Sequence, residues 1–252
     1  MLKLPSYKNF SPVKNFFFLC IVLAVSYISV WIFGKKPELA TLPIILIGIL
    51  ALLYLRSWKL LLVYIFFALF GIGMEAFFIA NGFWSYGASS FMSIPYYLPF
   101  IWGNISILTV GIFRGSVMVF GNRLRHNPPG FLSASIATVL GLIGLVLSMR
   151  VFSHHPWQLV LILLGIDILY IFCMRSLPLA IVGIFALAGG AIGDLISVWL
   201  GIWNYPATAK IAGIPPYIFI FWGLIGTLMA GLYIVLDAKD FPLPSWMRKK
   251  DS

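Results

Sequence analysis

Two carboxylic acids lie inside long apolar runs of this chain, and the same aromatic pattern follows each. Glu75 precedes Gly82-Phe83-Trp84-Ser85-Tyr86, and Asp194 precedes Gly201-Ile202-Trp203-Asn204-Tyr205. An acid placed in hydrocarbon is costly, so it generally faces a bundle interior and marks function. If both acids reach one cavity, one carboxyl can hold a proton while the other stays ionised, which supplies a donor and a base. Aromatic faces beside them could stabilise a carbocation. These are the parts needed for proton-initiated chemistry on an alkene; a proton-coupled transporter would use the same acids. The candidate catalytic residues are therefore Glu75 and Asp194. The candidate substrate-binding residues are Trp84, Tyr86, Tyr97, Trp102, Trp203, Tyr205, Tyr217 and Trp222. Glu75→Gln and Asp194→Asn are expected to end function and leave the fold intact, because a neutral amide is no harder to bury than the acid.

The remaining reactive residues carry less. Asp167 is a third acid in an apolar run, with Asn104 as a candidate partner. His126, His154 and His155 fall in expected loops and read as surface residues. No Cys/His/carboxylate spacing supports a metal site. Cys20 and Cys173 are isolated in apolar runs and are expected in the core. No nicotinamide or flavin fingerprint is present, so no cofactor is expected. An interfacial belt would account for any one of the aromatics that end these runs. It does not account for a Trp-x-Tyr spacing kept behind both acids.

The elements that must position these residues follow from a duplication. From Gly71/Gly190 through Tyr86/Tyr205 the two copies are offset by 119 residues, and from Ile94/Ile214 to Gly103/Gly223 by 120. Gly71, Glu75 and Gly82 share one helical face, as do Gly190, Asp194 and Gly201, and small residues there allow close helix contact. The chain is 62% hydrophobic and 10% charged, against about a quarter charged in soluble domains. Eight apolar runs, at about 15–33, 39–55, 60–82, 95–113, 131–149, 157–174, 179–201 and 215–236, approach the roughly 20 residues that span a bilayer. The expected fold is all-α: a polytopic membrane bundle of about eight transmembrane helices in two parallel four-helix repeats. The repeats would occupy 1–119 and 120–239, with a polar joint at Arg114 to Gly130, and 240–252 would form a basic cytoplasmic tail. Pro95 and Pro215 should open their helices, and Pro99 should kink the fourth. Thirteen of the seventeen Lys and Arg residues fall on the side of the termini, which predicts a multi-pass cell-membrane protein with both termini cytoplasmic. The net charge of +10 is accounted for by this topology, so a nucleic-acid partner is not expected. The expected partner is membrane lipid; the oligomeric state is not readable.

An acid, then Gly-x-Trp-x-Tyr, then Ser93-Ile94-Pro95 or Gly213-Ile214-Pro215 opening the next helix, resembles the membrane carotenoid-biosynthesis proteins. The second copy is most similar to lycopene cyclase domain proteins. Pro95-x-Tyr97-x-x-Phe100-x-Trp102 and Pro215-x-Tyr217-x-x-Ile220-x-Trp222 are more similar to the related carotenoid hydratases. Where the cyclase domain carries a pair of acids after this proline, Tyr96-Tyr97 and Pro216-Tyr217 stand here. The resemblance implies a fold and a long isoprenoid substrate such as a carotenoid, acted on by proton-driven cyclisation, isomerisation or hydration. The alternatives are a proton-coupled transporter of a lipid or small amphiphile, and a non-catalytic membrane scaffold.

Overall fold

A computed structural model describes residues 12–88, 91, 93–120, 126–206 and 210–238. Among them are eight helices: α1 (Pro12–Phe33), α2 (Pro37–Leu55), α3 (Trp58–Ala80), α4 (Leu98–Phe120), α5 (Phe131–Phe152), α6 (Pro156–Cys173), α7 (Pro178–Trp199) and α8 (Pro216–Asp237). All eight are long and apolar enough to cross a membrane. The protein is thus an all-α, multi-pass membrane bundle. In hydrocarbon every backbone group must be satisfied within the segment, which is why these runs are helical throughout. The basic tail expected at 240–252 lies outside the described residues.

The helices follow the same order in both halves, and they meet through α4 and α8. Half of the α4 span and 78% of the α8 span are buried, against 22% of α6. Small residues let α8 sit centrally: a Cβ on Gly226 would lie 2.3 Å from Ala186 Cβ, and one on Gly231 would meet the Tyr170 hydroxyl. Joints recur as well. Arg56 and Arg175 both end a span in the left-handed region, at φ 46° and 48°.

After α3 and after α7 the chain turns back on a left-handed glycine, Gly82 (φ 70°) and Gly201 (φ 66°). It then forms two short strands, β1 (Ser85–Tyr86) and β2 (Trp203–Asn204), which pair antiparallel across the halves. Ser85 pairs with Asn204, its own counterpart in the duplication, so the pseudo-twofold axis passes through this pair. Small turns follow, bridged Phe91–Ile94 and Ile211–Ile214. Their offset is already 120, so the extra residue of the second copy lies between Tyr205 and Ile211.

Several expectations are corrected. Pro95 does not open α4: its carbonyl accepts from Leu98 N at 3.2 Å, and the helix begins at Leu98. Pro99 is therefore in the first turn, where its missing donor has no intrahelical acceptor to serve, and it is no interior kink. Because α4 runs on to Phe120, the joint is shorter than Arg114 to Gly130; Arg114 lies over the Tyr233 ring at 5.9 Å. Cys20 is half-buried and Cys173 exposed, so neither is a core residue. The Cys173 side of α6 carries Ile168, Leu169 and Phe172, all exposed, as expected of a face turned to lipid. His154 and His155 are exposed, but His126 is not a free surface residue. It packs on Phe113, its Nδ1 is 2.8 Å from Ser176 Oγ, and burial lowers its pKa below the ordinary value against the pull of Asp237.

Candidate functional site

Eight of the ten candidate residues converge on one small cavity at the pseudo-axis. Glu75, Trp84, Tyr86, Trp102, Asp194, Trp203, Tyr205 and Trp222 line it, with Tyr27 and Phe221 beside them. Its volume is about 40 Å³. Both acids are buried, Glu75 at 4% and Asp194 at 2% exposure. They reach the same space because α3 and α7 are equivalent helices facing one axis.

Each acid is held by aromatic donors from its own half. Glu75 Oε2 accepts from Trp84 Nε1 at 2.9 Å and from the Tyr86 hydroxyl at 2.7 Å; Oε1 accepts from Trp102 Nε1 at 3.1 Å. Asp194 Oδ2 accepts from the Tyr205 hydroxyl at 2.8 Å and from Trp222 Nε1 at 2.9 Å. An indole nitrogen can only donate, so these carboxyl oxygens must act as acceptors. Burial and the neighbouring Glu75 charge hold the Tyr86 phenol well above its ordinary pKa, and burial with Asp194 does the same for Tyr205. Both therefore remain protonated donors.

The glycines that share a face with the acids now have a purpose. A Cβ on Gly71 would lie 2.3 Å from the Trp102 indole, and one on Gly190 would lie 2.2 Å from Trp222. Their absence lets each indole lie flat on the acid-bearing helix and turn Nε1 to the carboxyl. Trp102 and Trp222 then stack across the axis, centroids 5.8 Å apart at 26°. Trp84 meets Tyr205 edge-on at 5.7 Å, and Tyr86 meets Trp203 at 5.8 Å, so the aromatics of the two halves interlock. A belt would leave such rings at the lipid interface; Trp84 is 6% exposed.

Tyr97 and Tyr217 do not reach the cavity. Tyr97 is fully buried beside Ile94 and Ile101 with its hydroxyl unpartnered among the described residues. Tyr217 packs on Phe83, centroids 6.4 Å apart. Each stands just behind the lining as a support.

Asp167 does not pair with Asn104. It accepts from the Thr227 hydroxyl at 2.6 Å, while Asn104 Nδ2 donates to Ser26 Oγ and the Ile44 carbonyl. The two occupy equivalent gaps in opposite halves. In the first, Gly48 makes room: a Cβ there would lie 2.5 Å from Asn104 Oδ1 and 2.9 Å from the Tyr64 hydroxyl. In the second, Asp167 replaces Gly48, Leu224 replaces Asn104, and Gly183 replaces Tyr64. The polar group comes from α4 in one half and from α6 in the other, which identifies Asp167 as interhelical glue.

Tyr27 and Trp31 on α1 were not expected. The Tyr27 ring fills the notch at Gly193, and Trp31 Nε1 donates to Ser197 Oγ at 3.2 Å. Tyr27 has Val146 as its counterpart, so the duplication carries no sign of it. The usable signal was Gly193, a glycine adjacent to the acid with Met74 in its place in the first half.

No family model and no curated protein matches this chain. Among solved structures it is similar to the crystal structure of a cross-linked MvINS trimer, with a TM-score of 0.60 and 15% identity. The likeness covers 73% of this chain and 97% of the other. At that identity, what the two chains share is a fold.

Proposed function

We propose that this protein is a membrane enzyme that moves a proton onto and off an apolar, isoprenoid-like substrate, in a redox-neutral cyclisation, isomerisation or hydration. The observation that carries the reading is the placing of two buried carboxyls in one aromatic-walled cavity on the pseudo-axis. The roles divide by hydrogen bonding. Glu75 accepts on both oxygens and serves as the fixed carboxylate; Asp194 has Oδ1 free of partners among the described residues and serves as the donor. Protonating an alkene carbon turns the π bond into a C–H bond and leaves a cation. The Trp102 and Trp222 faces and Glu75 would stabilise that cation until a proton is lost or water adds. The resemblance to carotenoid-biosynthesis proteins supports the substrate class. The charge distribution supports a topology with both termini in the cytoplasm.

A cavity of about 40 Å³ holds two or three waters and no isoprenoid, so the walls must part to admit substrate. That small volume also favours a second reading, a proton-coupled transporter. Lipid and pigment extracts of cells carrying no protein, the wild type or Asp194→Asn separate the two. An isoprenoid profile altered by the wild type and restored by Asp194→Asn supports the enzyme. An unaltered profile with proton-dependent efflux supports transport. No change in either leaves a non-catalytic scaffold and defeats both.

A further inference from the structure

The two acids of the site differ by one methylene group, and the shorter one leaves a donor stranded. Trp84 Nε1 donates to Glu75. Its counterpart, Trp203 Nε1, is buried and has no partner among the described residues. Asp194 is shorter than Glu75, and its Oδ2 is already taken by Tyr205 and Trp222, while Oδ1 accepts from no described residue. Trp203 and Asp194 line the same cavity. A buried donor left unmade is destabilising, and a space of this size accommodates water when two or more polar partners face it.

We infer that Trp203 Nε1 and Asp194 Oδ1 together hold one water molecule, and that this water is the route by which Asp194 gains and loses its proton. The water oxygen accepts the indole hydrogen and exchanges a hydrogen bond with the carboxyl. Glu75, with both oxygens occupied by indole and phenol donors, has no comparable route. Trp203 is thereby a positioning residue for the water. Only the proton-route part rests on the function proposed above; the water site itself stands on geometry.

The test uses the full-length protein in nanodiscs, without substrate, so its outcome is separate from the enzyme assay. With 15N-labelled tryptophan, the Trp203 indole proton, assigned by its loss in Trp203→Phe, should show a magnetisation-transfer cross-peak to a long-lived water. The indoles of Trp84, Trp102 and Trp222, which donate to carboxyls, should be much weaker. An absent Trp203 cross-peak overturns the inference. Replacing Trp203 by its isosteric benzothienyl analogue keeps the ring shape and deletes only the N–H. The melting temperature should then fall, because the water loses a holder. A rise would show that the N–H had been buried dry, and would also overturn it.

Discussion

Both carboxyls are surrounded by donors of a kind that cannot reverse, and this makes the two sites respond differently to the same chemical change. Glu75 accepts on Oε1 and on Oε2. An amide at this position must point its NH2 at a tryptophan N–H, donor against donor. Glu75→Gln is therefore expected to destabilise the protein by about 1–3 kcal/mol, against the expectation that both amides would be silent in folding. Asp194→Asn can keep its oxygen toward Tyr205 and Trp222 and turn the NH2 to the free Oδ1 position. It should fold as the wild type does and lose only the titratable proton. Thermal unfolding of the two variants in one detergent reads the difference; equal midpoints would contradict the hydrogen-bond assignment.

At the scale of helices, the acids are positioned by what is missing beside them. Gly71→Ala and Gly190→Ala each drive a Cβ to within 2.3 Å of an indole, so Trp102 or Trp222 must swing and take its N–H off the carboxyl. Each should destabilise by about 1–3 kcal/mol and blunt activity. Gly73→Ala and Gly189→Ala, with nothing within 4 Å, are the matched controls and should be neutral or slightly stabilising. Activity and melting curves for the four variants check this. The helices, the duplication and the pairing of Glu75 with Asp194 were all legible in the sequence, because apolar run length and a fixed offset are local signals. The start of α4 was not. Pro95 and Pro99 are both compatible with a first turn, and the local turn closed by the Leu98 N–H on the Pro95 carbonyl, which settles the register, leaves no mark in proline spacing. Nor could spacing separate Tyr97 and Tyr217 from the true lining, since one step of rotation about a helix end decides which ring reaches the axis. Tyr27 has Val146 as its counterpart in the duplication and was silent for that reason.

For the whole molecule, topology follows from charge, and the prediction is direct. Single cysteines placed at Lys210 and at Arg56, in a background with Cys20 and Cys173 replaced by serine or alanine, should react with a membrane-impermeant thiol reagent from opposite sides. Lys210 should label from outside intact cells and Arg56 only after permeabilisation. The reverse pattern would invert the bundle. The pairing of β1 with β2 then has a mechanical consequence. Backbone hydrogen bonds and interlocked rings join the halves at the Lys210 end, where Arg150 also reaches Asn81. At the far end the ties are side-chain contacts: Lys59 with Asp237, a partly exposed pair that contributes little, and Arg114 over the Tyr233 ring. The molecule is pinned at one rim: any opening that leaves β1 paired with β2 has to come at the Lys59 rim or between helices. A symmetrical rocking that opened each side in turn would have to unzip the pinned rim in every cycle.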